Sequence, residues 1–383
     1  MKRVAVLGST GSVGTNALGL IADRPDVLSV AALTASGSAQ SLSEQAARFC
    51  PAAICLARGN ERPAELAEQT AWCTGAEGIL EALELTRPDI VLNAITGAAG
   101  LAASEWTLRQ GLPLALANKE SLVMAGPFLV DLARETGAPI LPVDSEHCAI
   151  FQCLQGEDAS KVRRIYLTAS GGPFRTTPLE EFAALTPEQA LRHPTWDMGP
   201  RITIGSATMM NKAFEVLEAH WLFGLDCEQI EVLIHPQSIV HSMVEFVDGS
   251  MLAQLGVPDM RVPILYCLSY PERSALEFRP FDPARFSQLN FEAVDPTRYP
   301  AVPLAYETLD MGGTSGAVLN AADEVMTELF LGGEVQFPDI TSTVGSVVRN
   351  HDTAQIQDLS QVFQADRQAR DKTRSRARES KQT

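Results

Sequence analysis

Long apolar runs are missing from this sequence, and none could cross a bilayer. A membrane-spanning helix is therefore not expected. Positive charge is scarce, with 30 Lys and Arg against 47 Asp and Glu and a formal net charge of -17. Nucleic acid and anionic membrane surfaces both reward positive charge, so neither is an expected partner. A phosphorylated small molecule stays compatible, because a few local donors suffice to hold it. The locally basic stretch at 367–381 reads as a solvated, fraying tail. Paired cysteines are missing too. Seven cysteines are scattered along the chain, and the i, i+5 spacing of Cys50/Cys55 and Cys148/Cys153 is no zinc pattern. Reduced thiols in a cytoplasmic protein are expected. The N-terminal RVAVLG breaks at once into glycines, so no signal peptide is expected.

What is present is material for a large core. The chain has 383 residues, 45% hydrophobic and 20% charged, a globular composition that suits two or three domains. Residues 3–7, 28–33, 53–56, 90–93, 114–117 and 140–143 read as buried strands. Helical stretches such as 15–22, 41–49 and 102–110 separate them. Strand alternating with helix predicts an α/β fold, a Rossmann-like parallel sheet ending near residue 143. Strands at 164–168, 231–234, 238–246 and 250–255 then suggest a central α+β domain. Residues 171–200, rich in Pro and Thr, read as a long functional loop. Residues 273–297 read as a linker. Residues 303–331 and 340–362 read as helical.

Two constellations carry chemistry. In the first, Gly8, Gly11 and Gly14 follow the first strand and open the first helix. In that setting glycines admit a pyrophosphate and the helix N-terminus favours its charge. The second strand is followed by Thr34-Ala35-Ser36-Gly37-Ser38, with no carboxylate for a ribose hydroxyl. That favours NADP over NAD, although no Arg or Lys stands there either. In the second, Asp144-Ser145-Glu146 follows a strand, and an extended chain would point both acids the same way. Converging carboxylates repel unless protonated or bridged by a cation, and a hard divalent ion suits oxygen ligands. The pair alone reads more readily as a solvated loop.

A further acidic site shifts that balance. Residues 206–218 read as a helix with Ser206 as its N-cap. Asn211, Glu215 and Glu218 share one face, so Glu215 could be a third ligand, with Ser206, Asn211 and Lys212 as donors to a phosphate. An ordinary amphipathic helix with an exposed acidic face is the competing reading. Asn118, Lys119 and Glu120 follow another strand. Ser170-Gly171-Gly172 could present backbone N–H groups to an anion. His193 and Trp196 lie in the long loop, where a lid would be. His235 and His241 read as structural, and Cys148 reads as buried.

At this point the motifs form a pattern. GSTGSVG (8–14), LANKESLV (116–123), LPVDSEHCAIFQ (141–152), LTASGGPF (167–174), HPTWDMG (193–199), SATMMNK (206–212), IHPQSIVHSM (234–243) and AQLGVPDMR (253–261) together resemble the 1-deoxy-D-xylulose 5-phosphate reductoisomerase family. The likeness runs from residue 1 to about 350. It implies a homodimer with an NADPH-binding domain (1–143), a catalytic domain (144–272), a linker (273–297) and a C-terminal helical domain with its basic tail (298–383).

The resemblance also assigns residues. Metal ligands, Mn²⁺ or Mg²⁺ with Co²⁺ a further candidate, would be Asp144, Glu146 and Glu215. These three, with Lys119 and His193, would be catalytic. The phosphorylated sugar would contact Lys119, Ser145, Glu146, Ser170, His193, Ser206, Asn211, Lys212 and Glu215, with Trp196 and Met198 in a closing lid. NADPH would contact Thr10, Gly11, Ser12, Val13, Asn118, Glu120 and Gly199. The implied reaction is a metal-assisted rearrangement of a phosphorylated ketose, then hydride reduction of the aldehyde to 2-C-methyl-D-erythritol 4-phosphate. Three positions depart from the family pattern: Gly205 for the usual Asp, Ala213 for Gly, and Ser36-Gly37 where Gly and a basic or small residue are usual. Two other functions stay open: an NADP-linked semialdehyde-type dehydrogenase with Cys148 as nucleophile, and a non-catalytic nucleotide sensor.

Overall fold

Val4, Ala5, Val6 and Leu7 have no exposed surface, as befits a strand covered on both faces. They end β1 (Lys2–Leu7) in a computed structural model that describes residues 1–60, 62, 66–192, 199–275, 282–286 and 288–380. The chain continues through α1 (Ser12–Asp23), β2 (Leu28–Ala35), α2 (Ala39–Phe49), β3 (Ala53–Leu56), β4 (Ala71–Thr74), α3 (Glu77–Thr86), β5 (Ile90–Asn93), α4 (Leu101–Arg109), β6 (Leu114–Leu116), α5 (Lys119–Thr136), β7 (Ile140–Pro142) and α6 (Ser145–Cys153). The strands form one seven-stranded sheet in the order β4-β3-β2-β1-β5-β6-β7, parallel throughout. The order reverses between β1 and β5, and such switch points hold ligands beyond the strands' carboxyl ends. The expected α/β architecture is present, with β4 a short strand that sequence reading passed over.

The remainder comprises β8 (Val162–Ala169), α7 (Pro187–Ala190), α8 (Pro200–Thr208), α9 (Met210–Phe223), β9 (Ile230–Ile234), β10 (Val240–Phe246), β11 (Met251–Leu255), α10 (Arg261–Ser269), β12 (Glu292–Ala293), α11 (Ala301–Met311), α12 (Ser315–Leu331), α13 (Phe337–Arg349) and α14 (Leu359–Ser380). Its five-stranded sheet runs β11-β10-β8-β9-β12. Only β8 and β9 pair in parallel.

Packing divides the chain into two units: Met1–Asn118, Leu129–Cys148 and Asp259–Phe278, and then Lys119–Phe128, Ala149–Pro258 and Arg279–Thr383. In the first unit α10 returns to the sheet, where the Cys267 thiol donates to the Pro142 carbonyl at 3.0 Å. In the second, the first half of α5 lies against two helices. Pro127 cannot donate to Val123, four residues back, and α5 is non-helical at Ala125. Gly316 of α12 comes so close to the Val123 carbonyl that a Cβ there would sit at 1.9 Å. On the other side, a Cβ at Gly126 would meet Trp221 of α9 at 2.2 Å. Glycine permits both close approaches.

Residues 340–362 are mostly helical as expected, in α13 up to Arg349 and in α14 from Leu359. Two local expectations need correction. The basic tail does not fray from 367. α14 continues to Ser380, and Arg370 pairs with Asp366 at 2.8 Å and with Glu324. The stretch 171–200 is not wholly a loop, since it holds a 3₁₀ turn at Leu179–Ala184 and α7, capped by Thr186 and Gln189.

Candidate active site

In the first unit the glycine turn is built as its spacing requires. Gly8 has φ +77°, and a Cβ there would sit 2.6 Å from the Ala94 carbonyl oxygen, just past β5. The turn thus lies at the switch point. A Cβ at Gly14 would fall 2.4 Å from the Gly8 carbonyl oxygen, so the helix can start against the turn only with glycine there. α1 begins at Ser12, three residues before the expected start, with Gly11 at its N-cap and no side chain capping it. The first-turn amides at Ser12 and Val13 therefore lack intrahelical acceptors. Thr34 steadies the turn: the Gly8 amide donates to its hydroxyl at 3.1 Å and the Ser9 amide to its carbonyl at 2.8 Å.

Asn118 follows β6. Its side-chain amide donates to the Ile95 carbonyl at 2.6 Å and the Gly97 carbonyl at 2.9 Å, so both its hydrogens shape the loop after β5. Asp144, Ser145 and Glu146 stand where β7 hands over to α6, but not in the extended arrangement expected. Asp144 heads the helix, its Oδ1 accepting from the Glu146 amide at 3.1 Å and facing His147 Nδ1 at 3.2 Å. Ser145 donates to Glu146 Oε2 at 2.6 Å. A strand would have satisfied fewer of these groups; the helix start gives the Asp144 carboxylate a capping role.

In the second unit the expected helix at 206–218 is two helices. Met209 adopts the left-handed conformation between α8 and α9, so Ser206 lies in the last turn of α8 and is not an N-cap. The bend serves the side chains: Asn211 is in the first turn of α9, with Lys212, Glu215 and Glu218 following. The exposed acidic face is absent, for Glu215 is 1% and Glu218 3% exposed. Glu215 accepts from Asn211 Nδ2 at 2.6 Å and from the Lys212 ammonium, and Lys119 Nζ lies 3.5 Å from it. Two ammonium groups thus share one buried carboxylate. Ser170 accepts from the Gly172 amide at 3.2 Å. A Cβ at Gly172 would sit 2.8 Å from the Ser206 carbonyl oxygen, which places the Ser170 turn beside Ser206. The residues Lys119, Ser170, Ser206, Asn211, Lys212 and Glu215 are therefore gathered on one unit. His193, Trp196 and Met198 lie outside the described residues.

Sequence reading missed a buried ionic group next to Lys119. Arg201 of α8 lies 3.0 Å from Glu120 and 2.8 Å from Glu324, and it donates to Asn320 Oδ1 at 2.9 Å. Asp323 stands 3.9 Å away. Burial, acting against Arg201, pushes the Asp323 carboxyl up to about 7. Glu324, held between Arg201 and Arg370, is lowered despite its burial. The sequence trace is Asn320, Asp323 and Glu324, polar residues set among the small and apolar residues of that helix. Gly199, just before Arg201's turn, is the N-cap of α8. His235 is structural as expected: its Nε2 accepts from the Ile239 and Val240 amides.

Comparison with known proteins gives one answer along the whole chain. Residues 4–126 match the 1-deoxy-D-xylulose 5-phosphate reductoisomerase family, and residues 140–223 and 255–372 match its C-terminal domains. The reductoisomerase of Anaeromyxobacter sp. (strain K) is 46% identical over 373 residues, 97% of this chain and 96% of that protein. That of Symbiobacterium thermophilum is 47% identical over 383 residues, 97% of this chain and 98% of that protein. Among solved structures, the Zymomonas mobilis reductoisomerase in complex with NADPH superposes with TM-score 0.90 at 42% identity, covering 98% of this chain and 99% of that one. A reductoisomerase in complex with NADPH, fosmidomycin and magnesium gives 0.91 at 35% identity over the full length of both. By sequence along nearly its whole length, and by fold, this chain belongs to the 1-deoxy-D-xylulose 5-phosphate reductoisomerase family.

Proposed function

We propose that the protein isomerises 1-deoxy-D-xylulose 5-phosphate and reduces the product with NADPH to 2-C-methyl-D-erythritol 4-phosphate, in non-mevalonate isoprenoid biosynthesis. The observation that carries this reading is the buried Lys119–Glu215–Lys212 group with Asn211, which gathers ammonium and amide donors of the kind a small phosphorylated anion requires. The first unit suits the cofactor, because its uncapped α1 terminus and glycine turn accept a pyrophosphate. Asp144, Glu146 and Glu215 offer only carboxylate oxygens, a donor set that suits Mg²⁺ or Mn²⁺ and tolerates Co²⁺. When bound, the metal supplies Lewis-acid polarisation and the nicotinamide supplies hydride.

The chain's own residues do the rest. Ser170, Ser206, Asn211 and Lys212 bind the phosphate, so binding energy far from the reacting carbons orients them. Lys119 and Ser145 orient substrate oxygens. Thr10, Gly11, Ser12 and Val13 hold the dinucleotide with Glu120 and Gly199, and Asn118 shapes the loop those contacts need. The lid roles of His193, Trp196 and Met198 rest on the resemblance. A homodimer is supported by β11, an edge strand on which Met251, Leu252 and Leu255 are 49%, 41% and 42% exposed. An open apolar edge is a pairing surface for a second copy. Seven free thiols fit the cytoplasm.

The test is turnover of 1-deoxy-D-xylulose 5-phosphate with NADPH and Mn²⁺, followed by absorbance. EDTA and Glu146→Gln should each stop it. Activity that survives EDTA but not Cys148→Ser would instead indicate the semialdehyde-type dehydrogenase. The structure argues against that route: Cys148 is 1% exposed and packs against the Cys267 thiol, whose ionisation burial opposes. NADPH binding without turnover would leave a nucleotide sensor.

A further inference from the structure

The strand after which an NADP enzyme usually places a base carries none here: Ser36, Gly37 and Ser38 follow β2. The fold brings one from elsewhere. β2 and β3 are parallel neighbours, with Thr34 opposite Cys55 and Ala35 opposite Leu56. Their carboxyl ends therefore leave the sheet side by side. The Arg58 amide, two residues past β3, donates to the Ser36 carbonyl at 2.6 Å. A Cβ at Gly37 would lie 4.0 Å from the Arg58 carbonyl oxygen, the nearest atom to it. So Gly37 leaves open the place that its own side chain would fill, and Arg58 stands next to it. Arg58 is exposed, and among the described residues its guanidinium has no ion pair or hydrogen bond. Asp26 and Asp259, by contrast, have their arginines already.

We propose that Arg58 reads the adenosine 2′-phosphate of NADPH and so sets the cofactor preference of this enzyme. The inference rests on the NADPH reading above. The glycine turn fixes the pyrophosphate end of the dinucleotide at β1, and the adenosine then extends across the carboxyl end of β2. The exposed hydroxyls of Ser36 and Ser38 add neutral donors. A ribose lacking the phosphate finds no carboxylate there to accept from its 2′-hydroxyl, so NADH is disfavoured on the same side. A planar guanidinium can engage a phosphate through two parallel hydrogen bonds, which a serine cannot.

The experiment is direct binding of NADPH and NADH to the full chain, by calorimetry or quenching of protein fluorescence, without substrate or metal. The wild type should prefer NADPH. Arg58→Ala should weaken NADPH by about 10- to 100-fold, the worth of a charged hydrogen-bond pair, and leave NADH within about twofold. Arg58→Lys should fall between the two, and the wild-type preference should shrink as salt is raised. The thermal midpoint should not move, since among the described residues the side chain has no partner to lose. A wild type that prefers NADPH with Arg58→Ala unchanged would overturn the proposal. So would equal binding of both cofactors by the wild type, although the reductase reading would survive. Failure of the wild type to bind either would defeat that reading itself.

Discussion

Replacing Asp323 by Asn should stabilise the protein, and more at pH 8 than at pH 5. Asp323 is buried on α12, and its Oδ1 has no hydrogen-bond partner. Arg201 from α8 faces it at 3.9 Å, Glu120 from α5 and Glu324 from its own helix oppose its ionisation, and Thr327 one turn on lowers it slightly without a well-formed hydrogen bond. The carboxyl titrates near 7 in the folded state and near 3.8 when unfolded. Below about pH 4 both states hold the proton and it costs nothing. Between pH 4 and 7 the folded state alone keeps it, so stability falls as pH rises. Above 7 the whole cost is present. At about 1.4 kcal/mol per pH unit the interval amounts to about 4 kcal/mol. Relaxation around a buried charge brings the observable part to about 2 kcal/mol.

Asn keeps the shape and carries no charge, so it removes that cost. The thermal midpoint of Asp323→Asn should exceed wild type by about 5 °C at pH 8 and by about a third of that at pH 5. Scans of both proteins at the two pH values cancel every other titrating group. An equal difference at both, or a lower midpoint for the variant at pH 8, would show that Arg201 keeps Asp323 ionised throughout.

Two further substitutions probe glycines with opposite outcomes. Gly14→Ala places a methyl 2.4 Å from the Gly8 carbonyl oxygen. Helix propensity favours Ala, yet the backbone clash should cost about 1–3 kcal/mol and abolish NADPH binding, as calorimetry would show. Gly205→Ala should do the reverse. It is a buried helical glycine whose new Cβ meets Asn211 at an ordinary 3.5 Å, so a gain of about 0.5–1 kcal/mol is expected in the thermal midpoint. A loss there would mean that the α8–α9 bend needs the glycine.

The glycine turn and the strand–helix alternation were legible because they are local: close backbone approach and two-sided burial leave direct marks on composition. β3 and β5 have the bounds that periodicity gives. The bend at Met209 was not legible, because a left-handed methionine has no signature in a sequence that scans as one helix. Nor was the helical start at Asp144, where capping competes with extension over two residues. Most of the candidate site residues were found by resemblance rather than by spacing.

The sequence by itself determined the fold class, the nucleotide turn and the family, since each rests on short-range pattern or on motif identity. Tertiary structure alone decided which groups meet. It turned a presumed acidic face into a buried carboxylate between Lys119 and Lys212, and it spent both amide hydrogens of Asn118 on the loop after β5. It also supplied the missing base. Parallel strands align residues about twenty positions apart, so Arg58 reaches Ser36 through the sheet register, which no reading along the chain alone could measure.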